Sequence, residues 1–253
     1  MQAIENHYKT ILEFEAKKVY AFATSAVRDA RNSREFLHMV QEKYDLYVNI
    51  IPGDREAELI YKGVRQACGL CENKVLIVDI GGGSNECIIA DKYRIYWKES
   101  FNLGMARLLE KFQPESPISP QTILRVEDYL KEKLTPLFEA LELYHPSEMV
   151  GASGSYETFY ALIKNHLPEK YIENGHSVKK EIFMEDYQGL HEILLKSTLE
   201  ERRNMPGMEP VRVEMIVLAT IFVNFILKNH HFDKMMMSEY ALKEGVMAEI
   251  FNI

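Results

Sequence analysis

Residues 75–90, Val-Leu-Ile-Val-Asp-Ile-Gly-Gly-Gly-Ser-Asn-Glu-Cys-Ile-Ile-Ala, end an apolar run in an aspartate, follow it with three glycines and open a second apolar run. Two apolar runs of strand length joined by a glycine loop read as buried strands, so the chain must fold around a sheet. The glycines cost backbone entropy that a plain hairpin turn, the bland alternative, does not require. Bare N–H groups at Gly81, Gly82 and Gly83, with Ser84, can approach a phosphate, and Asp79 at the strand end can hold a metal ion or its water. Glu86 is either a lining residue of that site or a charge that protects an edge strand.

With 253 residues, 47% of them apolar, the chain can build two modest domains or one large one. A formal charge of −8 speaks against a broad nucleic-acid surface and against anionic membranes, so an anionic ligand needs a local site. The sequence has no apolar run of about 18 residues and no basic segment leading into an apolar one at its N-terminus; no membrane span or signal peptide is read, and the expected location is cytoplasmic. Three cysteines do not make a disulfide framework. Cys68 and Cys71 are a close pair without the further ligands zinc takes, and are expected to line a helix end.

Ile4, Tyr8, Ile11 and Leu12 predict a helix over 4–17, followed by a short buried strand over 19–24. Ser33 is the expected cap of a helix over 35–43; a strand covers 46–51, and Asp54 caps a helix that Gly69 ends. Strands over 75–79, 86–90 and 94–100 follow, the last two antiparallel about a turn at Asp91-Lys92. Beyond Gly104 the chain reads as helical. Ser119-Pro120 opens a long helix through Leu141, with others over 155–165, 186–200, 211–228 and 239–251, and short strands at 148–152 and 235–237. Residues 165–180 are the expected mobile loop.

Glu56 lies in the first turn of its helix, where the macrodipole alone favours a carboxylate; in a phosphate site it would serve as general base. Arg28, just after Thr24-Ser25 at a strand-to-helix turn, could clamp an anion with its guanidinium fork. Gly151-Ala152-Ser153-Gly154 offers a second nest of N–H groups. Lys62, Arg65, Lys92 and Arg94 could make a channel basic, although scattered cations are ordinarily a solvated surface. His230-His231 follows a long helix and is explained by its C-terminal dipole.

Taken together, the blocks Ala23–Asn32 with Arg28, Pro52–Val64 with Glu56, and Asp79–Ser84 with Glu86 resemble the exopolyphosphatase / guanosine pentaphosphate phosphatase family. Further family-like blocks follow in order: Asn102-Leu-Gly-Met-Ala-Arg107, Gly151–Gly154, Pro206-Gly-Met-Glu-Pro-Val-Arg212 and Ser238–Gly245. The resemblance spans nearly the whole chain and implies an α/β, actin-like (ribonuclease H-like) two-domain ATPase fold with its active site between the domains. Residues 1–62, joined by the C-terminal helix 239–253, would form an incomplete first domain, and 63–238 the second, with helical insertions. The implied chemistry is Mg²⁺-dependent hydrolysis of a terminal phosphoanhydride in inorganic polyphosphate or guanosine pentaphosphate. In that reading Glu56 is the catalytic base, and Asp79 and Glu86 hold Mg²⁺ or orient water. Gly81, Gly82, Gly83 and Ser84 form the second phosphate-binding loop, and Arg28, Gly151, Ser153 and Gly154 complete the phosphate set. No nucleic-acid or membrane partner is expected, and a homodimer is allowed.

Two departures from the family pattern stand out. Asn85 replaces the usual threonine. A first loop of the form Asp-x-Gly-(Ser/Thr)-Asn-(Ser/Thr) has no counterpart, which suggests a chain shorter than its relatives by on the order of 50 residues. The strand at 19–24 is then expected to have an open edge that favours self-association. Two other function classes stay open: a nucleotide- or polyphosphate-binding protein without turnover, and an actin-like kinase or ATPase. Against the latter, no adenosine-binding signature is visible.

Overall fold

A computed structural model describes residues 1–70, 72–171 and 177–252. The chain divides into two compact units, Met1–Glu56 and Ala57–Ile253.

In the first unit, helix α1 (Gln2–Glu13) sets Tyr8 against Tyr44, ring centroids 4.9 Å apart. Strand β1 (Ala21–Ala23) runs parallel to β2 (Val48–Ile50), with Phe22 opposite Asn49. Parallel pairing demands a crossover, which α2 (Ser25–Arg28) and α3 (Ser33–Tyr44) supply. Asn32, not Ser33, occupies the N-cap position of α3, which ends at Asp45 in the left-handed region. The expectation of a buried first strand is corrected: among β1 residues only Ala23 is buried, and Phe22 is exposed. Among the described residues β1 has β2 as its sole neighbour, so its other edge carries no strand. Helix α4 (Gly53–Cys68) starts in this unit and continues into the second, with Asp54 and Glu56 inside its first turn and Gly69 following its end at φ +51°. The buried Cys68 closes α4, whereas Cys71 lies outside the described residues.

The second unit is organised by β3 (Val75–Ile80), β4 (Asn85–Ala90), β5 (Ile95–Phe101), β6 (Glu148–Ala152), β7 (Lys179–Ile182) and β8 (Lys234–Ser238), in the order β5-β4-β3-β6-β8-β7. β3, β4 and β5 are antiparallel neighbours, while β6 and β8 run parallel to β3. That mixed order is the ribonuclease H-like layout of actin-like α/β proteins, extended here by the antiparallel edge strand β7. Because side chains alternate along a strand, Leu76, Val78, Ile80, Cys87 and Ile89 face one core, and Val75, Ile77, Ile88 and Ala90 face the other. Helices α5 (Met105–Phe112), α6 (Pro120–Lys133), α7 (Thr135–Tyr144), α8 (Gly154–His166), α9 (Met184–Lys196) and α11 (Ile216–Asn229) contribute to the first, larger core, and the short α10 (Leu199–Arg203) follows α9. α11 is the centre of that core, buried on every side from Ile216 to Ile226.

The second core lies beneath α4, on which α12 (Leu242–Phe251) crosses closely. A Cβ on Gly63 would overlap the Ala241 carbonyl, one on Gly245 would overlap that of Leu59, and Lys62 pairs with Glu249. By compactness the chain divides after Glu56, and α12 groups with the second unit.

The long helix expected through Leu141 is broken at Leu134. Pro136 cannot donate to the Glu132 carbonyl, and the Thr135 hydroxyl takes that carbonyl and the one at Lys131, each at 3.2 Å. The helix expected over 186–200 likewise splits. Thr198 and Glu201 form a capping box that starts α10 anew. A 3₁₀ turn at Pro210–Arg212 precedes α11, which begins five residues later than expected, at Ile216. β7 occupies part of the segment expected to be a mobile loop, whose residues 172–176 lie outside the described set.

One buried polar cluster carries a pH signature. His191 Nδ1 lies 3.1 Å from the Thr220 hydroxyl, which also meets the Tyr187 hydroxyl at 3.0 Å. Burial, aided by the Lys228 charge, holds the His191 imidazole down at about 4. The folded-state value is below the ordinary one, so the unfolded chain binds more protons between pH 6.5 and 4, and stability present above pH 6.5 is lost across that window. The thermal midpoint of the native protein, measured against His191→Gln, is therefore expected to fall as the pH is lowered from 7 to 4; a constant difference would refute the assignment.

Candidate active site

The C-terminal end of β3 brings the acidic residues and the glycine loop together. Asp79 and Glu86 are directly opposite one another on β3 and β4 and, by the alternation above, share the sheet face that carries Ile77 and Ile88. They are 6% and 2% exposed. Like charges placed cross-strand and buried are destabilising unless a cation or hydrogen bonds offset them. Glu86 Oε1 accepts a 2.6 Å bond from the Ser100 hydroxyl of β5. Burial pushes the Asp79 carboxyl up to about 6; a hydrogen bond with Ser153 opposes the shift and the Glu157 charge adds to it. Two carboxylates at one end of a sheet suit Mg²⁺, which takes one or two protein carboxylates and fills its shell with water and phosphate oxygens. Among the described residues no group of three or more His, Cys, Asp or Glu side chains gathers into an all-protein metal cage.

Residues 81–84 are shaped by hydrogen bonds to the start of α5. The Gly81 carbonyl accepts from Met105 N–H at 2.9 Å, the Gly82 carbonyl from Ala106 N–H at 2.9 Å, and the Gly83 carbonyl from Arg107 Nε at 2.7 Å. In a trans peptide the carbonyl and the following N–H point in opposite directions. Tying the carbonyls of Gly81, Gly82 and Gly83 to α5 therefore turns the N–H groups of Gly82, Gly83 and Ser84 away from it. Among the described residues no backbone carbonyl takes those three N–H groups, whereas Gly81 N–H is used by the Ser84 carbonyl at 3.0 Å. This is a nest of convergent donors for an anion. Asn85 Nδ2 bonds the Leu103 carbonyl at 3.0 Å, anchoring the turn before α5, and its Oδ1 is buried with no partner among the described residues.

At the end of β6, Ser153 adopts φ +68° and ψ 173°, a region that is essentially glycine's and costs about 1–3 kcal/mol. The strained residue is the one that hydrogen-bonds Asp79. Gly154, at the first position of α8, leaves room for the Arg212 guanidinium, which fills the space a Cβ would need. Gly151 has a different reason to be glycine: the Tyr156 ring lies against it on the larger-core side, so packing requires it whether or not a phosphate binds.

In the first unit, Arg28 and Glu56 come together. Arg28 Nη1 donates to the Ile51 carbonyl at 2.9 Å and lies 3.5 Å from Glu56 Oε2, with Glu56 only 7% exposed. The other cations considered from sequence have local structural partners. Lys62 pairs with Glu249 and Lys92 with Glu72, while Arg65 and Arg94 stack on Tyr61 and Tyr96. His230 bonds the Pro146 carbonyl at 2.9 Å at the end of α11. Arg107, Arg212 and Ser100 were not singled out by sequence; Arg107 and Arg212 sit inside quoted blocks, but their roles depend on partners 24 and 58 residues away.

The sequence model of the Ppx/GppA phosphatase family matches residues 1–252. The chain belongs to the Ppx/GppA phosphatase family. Among solved structures, a crystal structure of an exopolyphosphatase from Cytophaga hutchinsonii superposes with a TM-score of 0.95 at 32% identity, covering 99% of this chain and 80% of that one. A bifunctional 3-dehydroquinate synthase/phosphatase of Fusobacterium nucleatum is 29% identical over 94% of this chain and 37% of its own length. A guanosine-5'-triphosphate,3'-diphosphate pyrophosphatase of Photobacterium profundum is 25% identical over 94% of this chain and 46% of its own. The chain thus spans less than half the length of these two Ppx/GppA relatives, and most of the Cytophaga structure.

Proposed function

We propose that this Ppx/GppA chain hydrolyses the terminal phosphoanhydride of inorganic polyphosphate or guanosine pentaphosphate, releasing orthophosphate. The observation that carries the reading is the nest of three outward N–H groups at Gly82, Gly83 and Ser84 beside the buried Asp79–Glu86 pair. The names of the relatives support both substrates without choosing between them.

The water oxygen attacks the terminal phosphorus, the bridging P–O bond breaks, and the shortened chain leaves with the bridging oxygen. Glu56 accepts the water proton, from the first turn of α4 where the helix macrodipole favours a carboxylate. The nest donates to the non-bridging oxygens, where transition-state charge spreads, and Arg28 adds a fork for a further phosphate. Ser153 orients Asp79 and Ser100 orients Glu86. Mg²⁺ bound by these two carboxylates would neutralise charge on the phosphate chain. Arg212 beside Gly154 and the N-terminus of α8 form a second positive locus for the distal phosphates. The expected two-domain organisation belongs to this reading; among the described residues no helix is long and apolar enough to cross a membrane.

Glu56→Gln tests it. With Mg²⁺ present, phosphate release from either substrate is expected to fall by about 10²–10⁴-fold while substrate binding changes little. Binding without release in the native chain would favour a non-catalytic binding protein, and release that survives Glu56→Gln would remove Glu56 as the base.

A further inference from the structure

We infer that Arg107 is a positioning residue of the phosphate loop, acting through the Gly83 carbonyl to aim the Ser84 N–H at substrate. The inference rests on the proposed hydrolase reading for its kinetic consequence, though not for its binding consequence. The three loop carbonyls are not held equally. Those of Gly81 and Gly82 each receive a backbone N–H from α5 at 2.9 Å, a normal hydrogen bond. Among the described residues Gly83 has no comparable backbone donor: the Gly104 N–H reaches its carbonyl only at 3.4 Å. Arg107 Nε makes up the difference at 2.7 Å, and a charged donor gives a bond roughly twice as strong as a neutral one.

The asymmetry matters because the Gly83–Ser84 peptide carries the last of the three outward N–H groups before β4 begins at Asn85. Its carbonyl shares one rigid plane with the Ser84 N–H, so holding the carbonyl sets the direction of that donor. Arg107 is half-buried on the first turn of α5, one residue beyond the two whose N–H groups hold Gly81 and Gly82. Backbone and side chain of one helical turn thereby fix three successive peptides. Gly104 makes the approach feasible, since a Cβ there would overlap the backbone of Gly82 and Gly83.

The test is a double-mutant cycle between Arg107→Ala and Gly82→Ala, with Arg107→Lys as a milder second variant, on the full chain. Two quantities are read: Kd for inorganic tripolyphosphate without metal, and kcat and KM for Mg²⁺-dependent phosphate release. Arg107→Ala is expected to raise Kd about tenfold and lower kcat about 10–100-fold, as misaligned donors do. Arg107→Lys keeps the charge but loses the rigid fork, and should fall between. In the Gly82→Ala background, where the loop is already blocked, removing Arg107 should add little.

Fully additive effects would overturn the inference by showing that Arg107 acts on substrate independently of the loop. A lowered Tm with Kd and kcat unchanged in both Arg107 variants would also overturn it, leaving a merely structural side chain. If the native chain releases no phosphate, the hydrolase reading fails, and the tripolyphosphate cycle still decides the positioning role.

Discussion

At pH 7, Asp79→Asn is expected to raise the free energy of unfolding by on the order of 2–3 kcal/mol while lowering Mg²⁺-dependent phosphate release by at least about a hundredfold. The gain follows from burial. The folded-state carboxyl titrates at about 6 against 3.8 for the ordinary group, so folding takes up a proton between those values. Stability from this group is complete below pH 3.8 and is lost as the pH rises through 6; each unit is worth about 1.4 kcal/mol. Asparagine has the same shape and no charge to desolvate, and its advantage should vanish below pH 3.8. Urea unfolding of both proteins at pH 3.5 and pH 7 checks the sign. Added Mg²⁺ should narrow the gap at pH 7, because a ligand of the folded form stabilises only the protein that binds it. Equal stability of the two proteins at pH 7 would mean that the buried carboxylate carries no such penalty.

The second large effect separates what the glycines do for the fold from what they do for phosphate. Gly104→Ala should cost about 2–3 kcal/mol, since the added Cβ overlaps backbone atoms of Gly82 and Gly83 that cannot move aside cheaply. Gly82 is the opposite case. It is exposed, and the nearest atom to a Cβ there would be the Ala106 methyl at 3.9 Å, an ordinary contact. Gly82→Ala should therefore leave the thermal midpoint within the small range of surface substitutions, while weakening phosphate binding and release about tenfold or more because the methyl occupies ground the anion needs. Calorimetry beside a phosphate-release assay measures both. If Gly82→Ala were fully active, the nest would not be where phosphate binds.

The loop and its acids were legible in sequence because all their parts lie within a few residues: an apolar strand, Asp79, three glycines and Glu86. The clamp that shapes the loop was not. Arg107 acts on Gly83 from 24 residues away, and nothing in the local pattern distinguishes it from an exposed helical arginine. Ser153 was placed at a turn, but its positive φ is a tertiary outcome, since serine is not a residue that local preference puts there. Gly151, read as a phosphate contact, has a packing role that the sequence did not announce: its bare Cα accommodates the Tyr156 ring. Among the helices, apolar periodicity runs through Leu130, Leu134 and Leu137 and hides a break that Pro136 announces. β7, Lys-Lys-Glu-Ile, lacks the alternation that marks a strand because it lies at the sheet edge with only Ile182 buried.

The hydrogen bonds between residues 81–83 and the start of α5 also decide when the donors are organised. The N–H donors that hold the loop carbonyls belong to the chain itself, so the arrangement is complete once the second unit has folded, before any phosphate arrives. A loop that had to be ordered by its ligand would charge that ordering against affinity and would gate association. Here the entropy has already been spent in folding. The glycine loop thus behaves as rigid dielectric structure, and the anion meets a field in place rather than one it must induce.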